Sequence, residues 1–236
     1  MKPELLLPPL LEARFVRRYK RFLCDAVLPD GSEVVAHCPN PGRMTSCLPT
    51  HGRILLSDHG TGGKRKLRYT WELSEVDGHW VVVNTQNANR LAARLLASHP
   101  TELGDYADFR SEVKALGSRF DFRLESLPPT YLEVKQVTLK CDRVAAFPDA
   151  VTVRGTRHLR ELSQLCREGH RTVMLYLAAR PDVEAYRPAH EIDPAYAQAF
   201  DEARQAGVEM MCYRLAVSPE RLAIDCRLPL IDARRW

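Results

Sequence analysis

The chain lacks the features that mark several large protein classes. No apolar run in its 236 residues reaches the ~18 that a membrane-crossing helix needs. Its seven cysteines are odd in number, scattered, and form no C-x-x-C pair. That argues against a disulfide framework or a zinc ribbon, and the thiols read as small buried hydrophobes. The eight histidines show no zinc-ligand spacing, and no G-x-S-x-G turn is present to expose a serine nucleophile. Gly60-Thr61-Gly62-Gly63-Lys64 approaches a P-loop but fails, because Asp58 stands at the first glycine position and Arg65 follows the lysine. There is no internal repeat and no low-complexity segment. The opening M-K-P-E-L-L-L-P-P-L-L is interrupted by three prolines and has no signal-peptide core, so the expected location is the cytoplasm.

A mild positive charge is present. Thirty-four Lys and Arg face thirty Asp and Glu, a net charge of +4, which permits nucleic-acid binding without requiring it. Arg14, Arg17, Arg18, Lys20 and Arg21 cluster early, and Lys64, Arg65, Lys66 and Arg68 cluster again.

The first 85 residues read as short strands and turns: Leu10 to Tyr19, Phe22 to Leu28, Glu33 to His37, Arg53 to Ser57, Lys66 to Val76 and Trp80 to Val83. Pro29-Asp30-Gly31 and Asn40-Pro41-Gly42 punctuate them. Such a set suggests a small five-stranded barrel of the oligonucleotide-binding (OB) type, with an SH3-like barrel fitting nearly as well. The texture changes near residue 85. Gln86 to Ser98 has helical spacing, with leucines at 91, 95 and 96. Three strands follow, Phe109 to Lys114, Ser118 to Glu125 and Thr130 to Leu139, then a helix over Gly155 to Glu168. Thr172 to Ala178 is an apolar run suited to a doubly covered strand. Asp193-Pro194 opens another helix, which Gly207 ends. Strands over Val208 to Val217 and Leu222 to Leu228 complete an α/β domain with a mixed sheet over 86–236.

The informative stretch is T-Y-L-E-V-K-Q-V-T-L-K at 130–140. Side chains alternate along a strand, so Glu133 and Lys135 share a side opposite Leu132 and Val134. On the preceding strand Phe120, Phe122 and Leu124 form an apolar face, and Asp121 lies on the other, where it can approach Glu133. Two converging carboxylates repel unless a hard divalent cation, Mg²⁺ or Mn²⁺, sits between them. Lys135 beside them could activate a water or stabilise charge on a phosphoryl group. The bland alternative is a surface ion pair between Glu133 and Lys135, worth ~0–1 kcal/mol. Asp, hairpin and Glu-x-Lys in an αβββαβ order resembles the core of the PD-(D/E)xK nucleases. Glu-x-Lys alone would be a weak signal.

Four further stretches occur together: C-P-N-P-G-R-M at 38–44, G-S-R-F-D-F at 117–122, L-E-V-K-Q-V-T-L at 132–139 and F-P-D-A-V-T-V-R-G-T-R-H-L-R-E-L at 147–162. With them the chain resembles the sugar fermentation stimulation protein A family from about residue 10 to 225. Pro41 and Phe120 depart from the pattern, where Thr and an aliphatic residue are expected. The resemblance implies an OB-like barrel over 1–85 and a PD-(D/E)xK-like domain over 86–236. It also implies DNA binding without sequence preference and a regulatory link to maltose metabolism.

The expected site is Asp121 and Glu133 as metal ligands, with Lys135 as the activating base or cation. Glu112 and Asp149 are further candidate ligands, Asp149 serving equally as a turn cap. His158 and Glu161 have the i, i+3 spacing of a metal pair or of a hydrogen-bonded helix face. Expected phosphate contacts are Arg14, Arg17, Arg18, Arg21, Asn40, Arg43, Lys64, Arg65, Arg157 and His158. Phe15 and Phe22 are assigned to the core. The expected function is a DNA-binding protein with a Mg²⁺-dependent phosphodiesterase site, on single- or double-stranded DNA. The alternatives are a non-catalytic DNA-binding regulator on the same fold and a metal-dependent enzyme acting on a phosphorylated sugar.

Overall fold

A computed structural model describes residues 2–61 and 65–231. After a short strand β1 (Glu4–Leu6), the N-terminal unit contains β2 (Leu10–Tyr19), β3 (Leu23–Val27), β4 (Glu33–His37), β5 (Arg53–Asp58), β6 (Tyr69–Val76) and β7 (His79–Val82). The strand order is β4-β3-β2-β5-β6-β7, with an additional parallel pairing of β4 to β6 through Ala36↔Tyr69 and His37↔Thr70. That pairing closes β2 to β6 into a barrel, and β7 extends it as a hairpin. A parallel third-to-fifth strand closure is the OB arrangement, so the SH3-like alternative falls. Alternation fills the interior with Ile54, Leu56, Trp71, Ala26, Ala36, Cys24 and Cys38. Phe15 packs on Trp71 with ring centroids 5.2 Å apart, but Phe22 is 47% exposed and is not a core residue. It sits in the tight link between β2 and β3, outside the alternation that turns side chains inward.

Helix α1 (Gln86–Ala97) follows, then β8 (Phe109–Ala115), β9 (Ser118–Leu124), β10 (Thr130–Val137), β11 (Leu139–Cys141), β12 (Val144–Phe147), α2 (Val153–Arg167), β13 (Arg171–Ala178), β14 (Ala185–Pro188), α3 (Pro194–Gln205), β15 (Glu209–Val217) and β16 (Arg221–Arg227). The main sheet has the order β1-β16-β15-β13-β10-β9-β8. Its centre, β10-β13-β15, is parallel, and its flanks are antiparallel. One core lies on the α1 side, with Leu91, Leu95 and Leu96 against Phe122, Leu124, Leu132, Val134 and Leu175. The other lies under α2 and α3, with Leu159, Leu162 and Phe200 against Val137, Met174 and Tyr176. β13 is therefore covered twice, which explains its unbroken apolar run.

Local chemistry sets the helix ends. The Thr152 hydroxyl accepts from the Gly155 N–H at 3.1 Å, and the Asp193 carboxylate accepts from the Tyr196 N–H at 3.0 Å. Gly207, at φ +100°, supplies the left-handed residue that ends α3.

Two features differ from the sequence expectation. β1 pairs antiparallel with β16, Leu5 facing Leu222, so residues 4–6 belong to the larger sheet rather than to the barrel. β11, β12 and β14 form a separate three-stranded sheet. Strands of three or four residues carry too little alternation to announce themselves.

The two units share a core. Leu55, Leu73 and Val82 of the barrel join the α1-side cluster. Buried Arg180 ties them further: its Nη1 donates to the Ser46 carbonyl at 2.7 Å and the Thr138 carbonyl at 3.0 Å, and Asp182 balances its charge. Asp182 also takes Lys140 at 2.5 Å. Burial alone would raise the Asp182 carboxyl, but Arg180 and Lys140 outweigh it and hold the group well below the usual range.

Candidate functional site

The β9–β10 ladder runs through Thr130↔Leu124, Tyr131↔Arg123 and Leu132↔Phe122 and stops there. The next facing position is Asp121 against Glu133. Instead of a ladder bond, the Val134 N–H donates to Asp121 Oδ2 at 2.8 Å. A side-chain carboxylate has taken the place of a strand carbonyl, and the two strands part around it. Opposite Asp121 on β8, Glu112 takes a left-handed φ of +55°. Phe122 and Leu124 pack on the α1 side, but Phe120 packs under α2 near His158, so these three do not share the expected face.

The two carboxylates are held from different layers, Asp121 from α1 and Glu133 from α2. Asn89 of α1 donates to Asp121 Oδ1 at 2.6 Å. Glu133 is only 3% exposed, which rules out the surface ion pair. Its Oε1 accepts from Lys135 Nζ at 2.5 Å and meets His158 Nδ1 of α2. Arg154 Nε donates to His158 Nε2 at 3.4 Å. With Nε2 accepting, the ring proton belongs on Nδ1 and is directed at Glu133. Glu133 Oε2 is buried without a protein partner.

Electrostatics separates the two acids. Burial, then the charge of Glu133, pushes the Asp121 carboxyl up to about 6, against the weaker pull of the Val134 N–H, Lys135 and Asn89. Burial acts the same way on Glu133, but His158 and Lys135 more than offset it and hold that group below its ordinary value. The acids are thus close enough to raise the proton affinity of one of them, and one oxygen is left bare. Oxygens of this kind suit a hard divalent cation, which would relieve both the repulsion and the orphaned atom. On that test the residues fit a metal.

The remaining candidates fall elsewhere. Glu112 is exposed and pairs with Arg119 at 3.3 Å. Asp149 accepts from the Met44 N–H at 2.9 Å, and its Oδ2 lies 2.3 Å from where a Cβ on Gly42 would stand. It is a latch between the units and not part of a third-carboxylate cluster; among the described residues no group of three or more His, Cys, Asp and Glu side chains is placed to hold a metal ion. His158 is 1% exposed and turned towards Glu133, so it faces neither a phosphate nor Glu161. Its role as a partner of Glu133 was not legible, because the two lie twenty-five positions apart on different elements.

The arginines divide in the same way. Arg18 donates to the carbonyls of Asn40 and Gly42 at 2.8 and 2.9 Å, so it braces the 40–42 loop rather than tracking phosphates. The Asn40 side chain is spent within the same loop, its Oδ1 accepting from the Gly42 N–H. Arg17 pairs with Asp25 at 2.7 Å and lies over the Tyr19 ring. Arg14, Arg21, Arg43, Arg65 and Arg157 are exposed. Lys64 lies outside the described residues.

Residues 16–83 match the family described as the SfsA N-terminal OB domain, and residues 86–221 match the sugar fermentation stimulation protein RE domain. A sugar fermentation stimulation protein homolog of Pseudomonas aeruginosa PAO1 is 50% identical over 232 residues, covering 94% of this chain and 97% of its own. The homolog of Dinoroseobacter shibae is 47% identical over 232 residues, covering 95% of each chain. Among solved structures, Pyrococcus furiosus SfsA in complex with Ca²⁺ superposes with a TM-score of 0.89 at 26% identity, covering 98% of this chain and 100% of that one. Among the described residues no helix is long and apolar enough to cross a membrane.

Proposed function

The chain belongs to the sugar fermentation stimulation protein family, and from that premise we propose that it is a cytoplasmic DNA-binding protein that hydrolyses phosphodiesters with a divalent cation, Mg²⁺ or Mn²⁺, held by Asp121 and Glu133. The observation that carries the reading is the bare, buried Glu133 Oε2 beside an Asp121 whose proton affinity Glu133 itself raises. The Ca²⁺ in the Pyrococcus furiosus relative supports a site for a hard cation.

The bound cation supplies Lewis-acid activation and neutralises charge on the scissile phosphate. The protein's own groups do the rest. Asn89 and the Val134 N–H fix the Asp121 carboxylate with one oxygen each, leaving lone pairs free on both. His158 and Lys135 together hold Glu133 Oε1, which leaves Oε2 buried without a protein partner and free for a ligand. Lys135 also places a positive charge where negative charge develops on the phosphoryl oxygens. Arg43 and Arg157 are exposed and serve as phosphate contacts in this reading. The barrel adds Arg14 and Arg21. Such contacts read no sequence, in keeping with binding that is indifferent to base order.

The reading is tested by incubating the protein with single- and double-stranded DNA in Mg²⁺, Mn²⁺ or EDTA, beside Lys135→Ala and Glu133→Gln. Metal-dependent cutting that both variants lose supports it. Retention of DNA on a gel with no cutting under any metal leaves a binder only and overturns the catalytic part. Indifference to DNA together with metal-dependent turnover of a phosphorylated sugar overturns both parts.

A further inference from the structure

Some arginines of this protein are neutralised by a carboxylate: Arg53 by Glu12 and Glu75, Arg68 by Asp58, Arg171 by Glu209, Arg187 by Glu191, Arg214 by Asp225. Others across the described residues are not, and two of these line one cleft together with a lysine. Between the barrel, the link from β1 to β2 and the first turns of α1 lies a cleft of about 780 Å³. Arg65, Lys66 and Arg90 line it, and among the described residues none of them makes an ion pair with a carboxylate. Arg65 Nη1 meets His59 Nε2 at 2.7 Å, and Arg90 Nη1 donates to Asn87 Oδ1 at 3.1 Å. His37, also on the wall, is held below its ordinary value by burial and then by the charge of Arg65.

The cleft does contain a carboxylate, Glu72, but it is 5% exposed and already occupied. Ser57 donates to its Oε1 at 2.8 Å, and the Asn84 and Asn87 amides donate to its Oε2 at 2.9 and 3.0 Å. Glu72 thus orders the floor and leaves the mouth to the cations. Asn84 Oδ1 in turn accepts from the Gln86 N–H at 3.1 Å, which fixes the start of α1 with Gln86 and Arg90 one turn apart on the same face. The lining also has apolar members, Leu6, Leu7 and Pro39, with Leu6 68% exposed. A cleft that combines unpaired cations, apolar side chains and ordered amides fits an anion that carries a flat, poorly hydrated body. The volume falls within the ~300–1,000 Å³ of small-ligand sites.

We propose that this cleft binds a phosphomonoester on a nucleoside-sized body, with Arg65 and Arg90 on the phosphate and the base against Leu6, Leu7 and Pro39. Guanidinium groups suit a doubly charged terminal phosphate because they can bond it in a bidentate fork. The ligand is either a free mononucleotide or the phosphorylated end of a nucleic-acid strand. The site deepens the nucleic-acid reading but shares no residue with the carboxylate pair.

The test uses the full chain in EDTA, titrated calorimetrically with dAMP, with inorganic phosphate, and with a hexanucleotide carrying either a 5′-phosphate or a 5′-hydroxyl. The variant is the double substitution Arg65→Gln, Arg90→Gln. Both side chains are exposed, so the fold should persist, and a thermal melt verifies this. The expected result is saturable dAMP binding in the millimolar range or tighter, weakened at least ~10-fold in the double variant, as expected for losing charge-assisted bonds. If the phosphorylated hexanucleotide binds better than the hydroxyl form and the double variant erases the difference, the strand end is the source. If the two bind alike, it is the free nucleotide. Absence of saturable binding by both dAMP and the phosphorylated hexanucleotide would overturn the proposal, as would binding that the double variant leaves unchanged. Inorganic phosphate binding as tightly as dAMP would overturn the nucleoside part. Glu133 contacts Lys135 and His158, neither of which lines this cleft, so dAMP binding should survive in Glu133→Gln even where metal binding is lost, and the two readings fail separately.

Discussion

Replacing Asp121 with Asn should stabilise the metal-free protein while abolishing its use of metal. Asp121 sits at about 6 against an ordinary 3.8 because it is buried beside Glu133. The sign follows from the raised value. The folded state holds this proton more tightly than the unfolded chain, so stability is complete below 3.8, falls as the pH rises through about 6, and stays reduced above it. At ~1.4 kcal/mol per tenfold change in proton affinity, keeping Asp121 ionised at pH 8 costs the apo fold about 3 kcal/mol. Asparagine removes the charge and retains an oxygen for the Val134 N–H, but it adds an amide that must share space with Asn89. A net gain of about 1–2 kcal/mol is expected, which for a domain of this size is ~2–8 °C in Tm. The assay is a thermal melt of both proteins in EDTA at pH 8 and pH 4. The variant should lead at pH 8 and lose most of its lead at pH 4, where the wild-type carboxyl is protonated. Adding Mn²⁺ at pH 8 should reverse the order, because only the wild type gains the linkage term of ~2.7 kcal/mol at a hundredfold excess over Kd. A variant less stable than wild type at pH 8 in EDTA, or a lead that does not change with pH, would refute the electrostatic account.

Other outcomes follow from the same geometry. Lys135→Ala should remove Mg²⁺-dependent cutting and leave DNA retention on a gel unchanged, since Lys135 contributes to the carboxylate site and not to the outer surface. Gly42→Ala should destabilise the protein by about 1–3 kcal/mol in a denaturant melt, because the added methyl would meet Asp149 Oδ2 at 2.3 Å and spread the latch. Asp182→Ala should cost ~3–5 kcal/mol, because it strands buried Arg180 without a counter-charge. Arg43→Ala should weaken DNA binding equally across sequences and lower the salt slope by ~0.9 in a plot of log affinity against log salt, the mark of one lost phosphate contact.

The elements easiest to foresee were those with a strong local signal. The run Thr172–Ala178, the cap at Asp193-Pro194 and the stop at Gly207 all carry their instructions within a few residues, and each element formed where its signal lies. Glu133 and Lys135 were legible as partners for the same reason: alternation alone puts residues two apart on one face. What stayed hidden depends on tertiary pairing. His158 reaches Glu133 from another element, Asp149 takes the Met44 N–H across 105 positions, and Leu5 pairs with Leu222 across the whole chain. Arg18 looked like a phosphate contact because a sequence shows a charge but not the carbonyls that will occupy it. Phe120 packs on the α2 side although Phe122 and Leu124 pack on the α1 side, beside the point where Asp121 takes the Val134 N–H, and no periodicity encodes that.

The central claim is that Asp121 and Glu133 share one hard cation. Crystals soaked in Mn²⁺ and measured at the manganese absorption edge test it directly. The account predicts an anomalous peak at ~2.0–2.3 Å from an Asp121 carboxylate oxygen and from Glu133 Oε2. A fully soaked crystal with no peak between those two oxygens, or with its peak bound by other side chains, would contradict it.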